Sequence, residues 1–120
     1  MTEEKILNRG LEFALEFGPN WLQPIQSRLS KKFPDLQTDE LNKYDSICRT
    51  AMKDGHEFIY KTLETAADKK RKIKEKDVSD ELKLFLHQKY PWIDSGNLKT
   101  ILSQGFYYAW KDGLAQLSFS

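Results

Sequence analysis

Apolar residues recur at helical spacing along most of the chain, and proline and glycine interrupt them at a few places. Ile6, Leu7, Gly10, Leu11, Phe13, Ala14 and Phe17 mark a first amphipathic helix over residues 3 to 17. Gly18-Pro19-Asn20 stops it, with Gly18 placed to cap its end. Asn20 can cap a second helix carrying Trp21, Leu22, Ile25, Leu29 and Phe33, with Pro24 tolerated in its first turn. Pro34 biases Phe33 away from helical geometry and ends it.

Thr38, followed by Asp39 and Glu40, is an N-cap with acids at the positive end of the dipole. The third helix then carries a long stripe: Leu41, Tyr44, Ile47, Cys48, Ala51, Met52, Gly55, Phe58, Ile59 and Leu63. From Asp68 to Lys76 this stripe dissolves into charge. Asp77 or Ser79 opens a fourth helix around Leu82, Phe85 and Leu86, which stops before Pro91. Ser95 or Asn97 opens a fifth that runs to about Leu117. Leu98, Leu102, Ala109 and Gly113 form one face of it, and Tyr107, Trp110 and Leu114 extend around the side. A helix apolar over so much of its circumference is expected at the centre of a bundle or in an interface.

Two blocks repeat. Lys32-Phe33-Pro34-Asp35-Leu36-Gln37-Thr38 returns as Lys89-Tyr90-Pro91-Trp92-Ile93-Asp94-Ser95, and Ala51-Met52-Lys53-Asp54-Gly55 as Ala109-Trp110-Lys111-Asp112-Gly113. The prolines are 57 residues apart and the glycines 58, so one extra residue separates the blocks in the second copy. Inside a helix it would turn everything beyond it by about 100°. The cap is the cheaper place, and Gly96 is the candidate. The fold expected is therefore all-α, a five-helix bundle containing an internal duplication of a helix–Pro turn–helix unit. Residues 1–120 read as a single all-α domain, with repeat 1 at about 20–67, a basic linker at about 68–77 and repeat 2 at about 78–117. Helices two and three pair, helices four and five pair, a pseudo-twofold axis relates the pairs, and the first helix packs across them. Gly55 and Gly113 are expected where helix backbones approach closely.

Bulk properties narrow the function classes. At 120 residues the chain can bury a core without metals or disulfides. With 19 basic and 18 acidic residues, net charge is +1, which gives no global attraction to nucleic acid or anionic membrane. One cysteine, Cys48, excludes an internal disulfide and fits a reducing compartment. The acidic start Met1-Thr2-Glu3-Glu4 does not read as a secretory signal, and no apolar run approaches a membrane span. The localisation expected is cytoplasmic.

Candidate chemistry is thin. His56-Glu57-Phe58-Ile59-Tyr60 resembles the opening of a zinc-protease helix, but Tyr60 stands where the second histidine is needed. Lys53 and Leu84 stand where a di-iron bundle needs glutamates before His56 and His87. No phosphate loop or nucleophile elbow is present, and no metal or cofactor is implied. Lys53, His56, Glu57 and Tyr60 share a helical face, expected to be exposed with a Lys53–Glu57 ion pair. Cys48 is expected to be buried and inert. Lys69-Lys70-Arg71-Lys72-Ile73-Lys74-Glu75-Lys76 lacks interleaved aromatics and reads as a solvated linker.

Aromatics make up 12% of the chain, and Trp21, Trp92, Tyr107 and Trp110 are the least obviously core. The leading expectation is a non-enzymatic protein–protein interaction module, acting through Trp92, Tyr107 and Trp110, with self-association as a close variant. A second expectation is a small-molecule or enzymatic site between the repeats, around Lys53, Asp54, His56, Lys111 and Asp112. A third is weak nucleic-acid binding by the basic linker.

Overall fold

A computed structural model describes residues 3–16, 25–68, 73–111 and 117–118. Five helices account for nearly all of this: α1 (Glu3–Ala14), α2 (Gln26–Lys32), α3 (Thr38–Asp68), α4 (Glu75–Lys89) and α5 (Ser95–Lys111). Two-residue strands β1 (Ile73–Lys74) and β2 (Leu117–Ser118) pair in parallel. Among the described residues the regular structure is thus all-helical apart from that one short ladder. Its longest dimension, 51 Å, is set by α3, whose 31 residues span about 46 Å.

The central helix is α3, not α5. Every other helix packs against it, and it buries Tyr44, Cys48, Ala51, Met52, Gly55, Ile59, Leu63 and Ala66. One side holds α1 through Leu7 and Gly10 at Cys48. The other holds α5, where the methyls of Ile101 lie over Gly55 and Ile59 lies over Gly105. These reciprocal notches make α3 and α5 run parallel, because both residue numbers rise together along the contact. Polar bonds from Asn97 to Asn8 and from Gln104 to Leu15 show that α1 is parallel to α5 as well. Helix α1 therefore lies along the bundle and not across it. Helix α4 runs antiparallel to α3, with Tyr90 at Asp54 and Phe85 stacked on Phe58 at 4.7 Å.

The turns before α3 and α5 have the same backbone. Phe33 has φ −132° and ψ 74°, Tyr90 has φ −134° and ψ 71°, and each donates its N–H to the carbonyl four residues back, Leu29 and Leu86. Leu36 then bonds Phe33, and Ile93 bonds Tyr90. Helix starts follow at Thr38 and Ser95, also 57 residues apart, so Gly96 is not an extra residue in the cap. Buried positions keep this register: Tyr44 with Ile101, Cys48 with Gly105, Met52 with Ala109. The Lys-Asp-Gly blocks, matched at 58, are out of it by about 100°. Nor does a twofold axis relate the pairs. Ile101, 57 residues after Tyr44, sits at Gly55, 11 residues or about 16 Å further along the parallel α3.

Several helix limits differ from expectation for local reasons. Helix α1 ends at Ala14, where Arg28 donates to the Phe13 carbonyl at 3.1 Å and lies 4.6 Å over its ring. The N-cap of α3 is Gln37, whose N–H donates to Glu40 Oε1 at 3.0 Å, and that of α5 is Asp94, which accepts from the Asn97 N–H at 2.8 Å. Helix α4 starts two residues early, at Glu75, directly after the strand. Helix α5 does not reach Leu117, which is extended and pairs with Ile73. Gly18, Pro19, Asn20, Trp21, Pro24, Lys69 to Lys72, Asp112 and Gly113 lie outside the described residues.

The glycine notch is testable. A Cβ on Gly105 would lie 2.9 Å from Ile59 Cβ, so the two helices must separate. Gly105→Ala should destabilise by roughly 1–3 kcal/mol from overpacking, and Ile59→Ala in the same chain, which keeps the opposing Cβ, should not rescue it. Gly96→Ala, which meets only Asp94 Oδ1 at 3.7 Å, should be neutral or stabilising by up to about 1 kcal/mol. Chemical denaturation of the four chains measures both.

Candidate functional site

Among the described residues, the sequence-predicted site residues do not converge. Lys53 is exposed on α3, and Lys111 ends α5. With Gly55 at Ile101 and Ile59 at Gly105, Lys111 stands level with about residue 65 of α3, roughly 18 Å beyond Lys53 along the axis. Asp54 faces α4: its Oδ2 accepts from Tyr90 Oη at 2.6 Å and from Lys89 Nζ at 2.8 Å. Burial works against the Asp54 charge, yet the bonds from Lys89 and Tyr90 and the Lys89 and Lys53 charges hold its pKa below the ordinary value. Burial and the Asp54 carboxylate push the Tyr90 hydroxyl up to about 12, so it stays a donor. This group ties the end of α4 to the middle of α3.

His56 belongs to a different group. It was expected on an exposed face with Lys53 and Glu57, but it is half-buried between α3 and α5. Its Nε2 lies 3.0 Å from Gln104 Oε1, and its ring meets Tyr108 edge-on at 5.5 Å. Gln104 Nε2 in turn donates to the Leu15 carbonyl, which leaves its Oε1 to accept from a protonated His56 Nε2. Burial lowers the His56 pKa, opposed in part by the Gln104 bond, so the ring is neutral at pH 7. Among the described residues, no three His, Cys, Asp or Glu side chains converge.

Two amides that periodicity passed over organise this region. Asn97 and Gln104 are buried on the same stripe of α5 as Ile101, Gly105 and Ala109. Asn97 Nδ2 donates to the Asn8 carbonyl at 2.9 Å, while Asn8 Nδ2 donates to the Trp92 carbonyl at 2.7 Å and Asn8 Oδ1 accepts from the Asp94 N–H at 2.9 Å. Polar residues at helical spacing with an isoleucine and a glycine were the available signal. They place the buried face of α5 about one residue round from the Leu98–Leu102 face expected.

That rotation turns a second set outward. Tyr107 is 48% and Trp110 66% exposed, with ring centroids 6.4 Å apart, and Tyr107 also meets Tyr108 edge-on at 5.7 Å. Trp92 is not part of this cluster. It is half-buried in the α4–α5 turn, its ring edge-on to Tyr90 at 6.2 Å, and α5 separates it from Trp110 by about 22 Å. The single aromatic surface expected is two separate clusters at opposite ends of α5.

Cys48 is fully buried, its Sγ donating to the Leu7 carbonyl at 3.3 Å. Burial, with Asp45 adding to it and Arg49 opposing, pushes the thiol up to about 12. Among the described residues no helix is long and apolar enough to cross a membrane.

Two outcomes follow. Cys48 should react with a thiol reagent at pH 8 only at the rate of unfolding, and fast labelling under native conditions would contradict its burial. Because the folded His56 pKa lies below the unfolded value of about 6.5, the unfolded chain takes up the proton first as pH falls. Stability should be complete above about pH 6.5 and decline below it, and His56→Gln should flatten that decline in denaturation midpoints read from pH 7.5 to 5. No family model, curated protein or solved structure matches the chain.

Proposed function

We propose that the protein is a non-enzymatic helical module that binds another protein through the outer face of α5, centred on Tyr107 and Trp110. The observation that carries this reading is the exposure of both rings on a helix whose opposite face is fully engaged with α1 and α3. Large amphipathic rings in contact with one another and with water are the residues that dominate binding hot spots. The dispersal of Lys53, Asp54, His56 and Lys111 supports it further: Asp54 and His56 are engaged in separate helix-to-helix contacts, and Lys53 and Lys111 are exposed and about 18 Å apart along the axis.

The reading includes a duplicated origin for the frame that presents this face. The matching backbone angles at Phe33 and Tyr90, and helix starts 57 residues apart, support descent of α2–turn–α3 and α4–turn–α5 from one unit.

Capture from a nuclease-treated native lysate, with quantitative mass spectrometry, tests the proposal. Tyr107→Ser with Trp110→Ser should leave the thermal midpoint within a few degrees, because neither ring fills the core, and should abolish capture of a stoichiometric protein partner. Trp92→Ala should retain it. A partner recovered equally by wild type and the doubly substituted chain would reject this face.

A further inference from the structure

The aromatic pair sits within a longer stripe. Lys99, Ser103, Tyr107, Trp110 and Lys111 are all exposed and fall at i, i+4, i+8, i+11 and i+12 of α5. On a helix these positions cover about 120° of the surface, the side opposite Gly105. Helix α5 contains no aspartate or glutamate from Ser95 to Lys111. Among the described residues neither Lys99 nor Lys111 has an ion-pair partner within 4.0 Å. The stripe therefore presents an aromatic pair between two cations about 18 Å apart, with Lys111 beside Trp110 and Lys99 about 12 Å short of Tyr107 along the axis.

From this pattern we infer that the partner is a protein segment with an apolar centre flanked by acidic side chains. The inference rests on the docking role proposed above and specifies its partner. Charge complementarity selects the occupant: carboxylates over the two lysines steer encounter and fix register, while an apolar centre covers Tyr107 and Trp110. A second copy is disfavoured, because an isologous antiparallel pairing of two α5 faces sets Lys99 against Lys111 of the other copy. A single-stranded nucleic acid needs a basic groove that tracks successive phosphates, and two lysines about 18 Å apart do not make one. An anionic membrane gains only about 1 kcal/mol from each lysine, which leaves the stripe a weak anchor.

Selection of a displayed random peptide library on the folded full chain tests the inference, with the Tyr107→Ser/Trp110→Ser chain used for counter-selection. The expected peptides are rich in Asp and Glu around an apolar centre. Their binding should weaken about tenfold on Lys99→Glu with Lys111→Glu, and should fall as sodium chloride is raised. Selected peptides that need Trp110 but carry no acidic bias, or that ignore the lysine reversals, would overturn the acidic partner and leave the docking face standing. Failure to recover any peptide that distinguishes the wild type from the counter-selection chain would overturn both. Binding of an oligonucleotide or of phosphatidylserine vesicles that is lost with Tyr107 and Trp110 would likewise overturn the inference.

Discussion

The close approach of α3 and α5 at two glycines is the constraint from which the remaining geometry follows. Ile101 occupies the space over Gly55, and Ile59 the space over Gly105. Each isoleucine can enter only where the facing helix has no side chain, so sliding α5 by a single residue would drive a methyl group into backbone or into a Cβ. The pair of notches therefore fixes sense, register and rotation together. Dispersion gains at such contacts are small per atom, but they are lost together if the helices separate.

Polar groups complete what the notches begin. With α5 held at that rotation, Asn97 and Gln104 point inward, where an unmatched amide would cost about 1–3 kcal/mol. They reach the Asn8 and Leu15 carbonyls and so place α1 against the same face. Arg28 reaches the Phe13 carbonyl near the end of α1, and Lys89 and Tyr90 fasten the end of α4 to Asp54. His56 is drawn into this frame through Gln104, which explains why a histidine that shares helical spacing with Lys53 and Glu57 is neutral and half-buried. The rotation that buries the amides also leaves Tyr107 and Trp110 in water.

Much of this was legible in the sequence where one helix carries its own information. The start and length of α3, the chain reversal at Pro91 and the burial of Cys48 follow from apolar period, cap residues and proline. The buried face of α5 did not, because Asn97 and Gln104 belong to it and periodicity counts polar residues as outward. The register between α3 and α5 was illegible for a different reason. It depends on which isoleucine meets which glycine across helices, and repeat matching instead paired Gly55 with Gly113. The same gap scattered the candidate site: Lys53 and Lys111 match in sequence but stand apart, because the matched blocks are neither in helical register nor at the same height.

The glycine contact turns the aromatic pair outward. Fluorescence of a chain retaining only Trp110, with Trp21→Phe and Trp92→Phe, tests it most directly. Red-shifted emission, free quenching by acrylamide, and no change when the intact chain is diluted are the expected results. A blue-shifted, protected Trp110 at all concentrations would mean that α5 is rotated inward, and would contradict both the packing and the docking face derived from it.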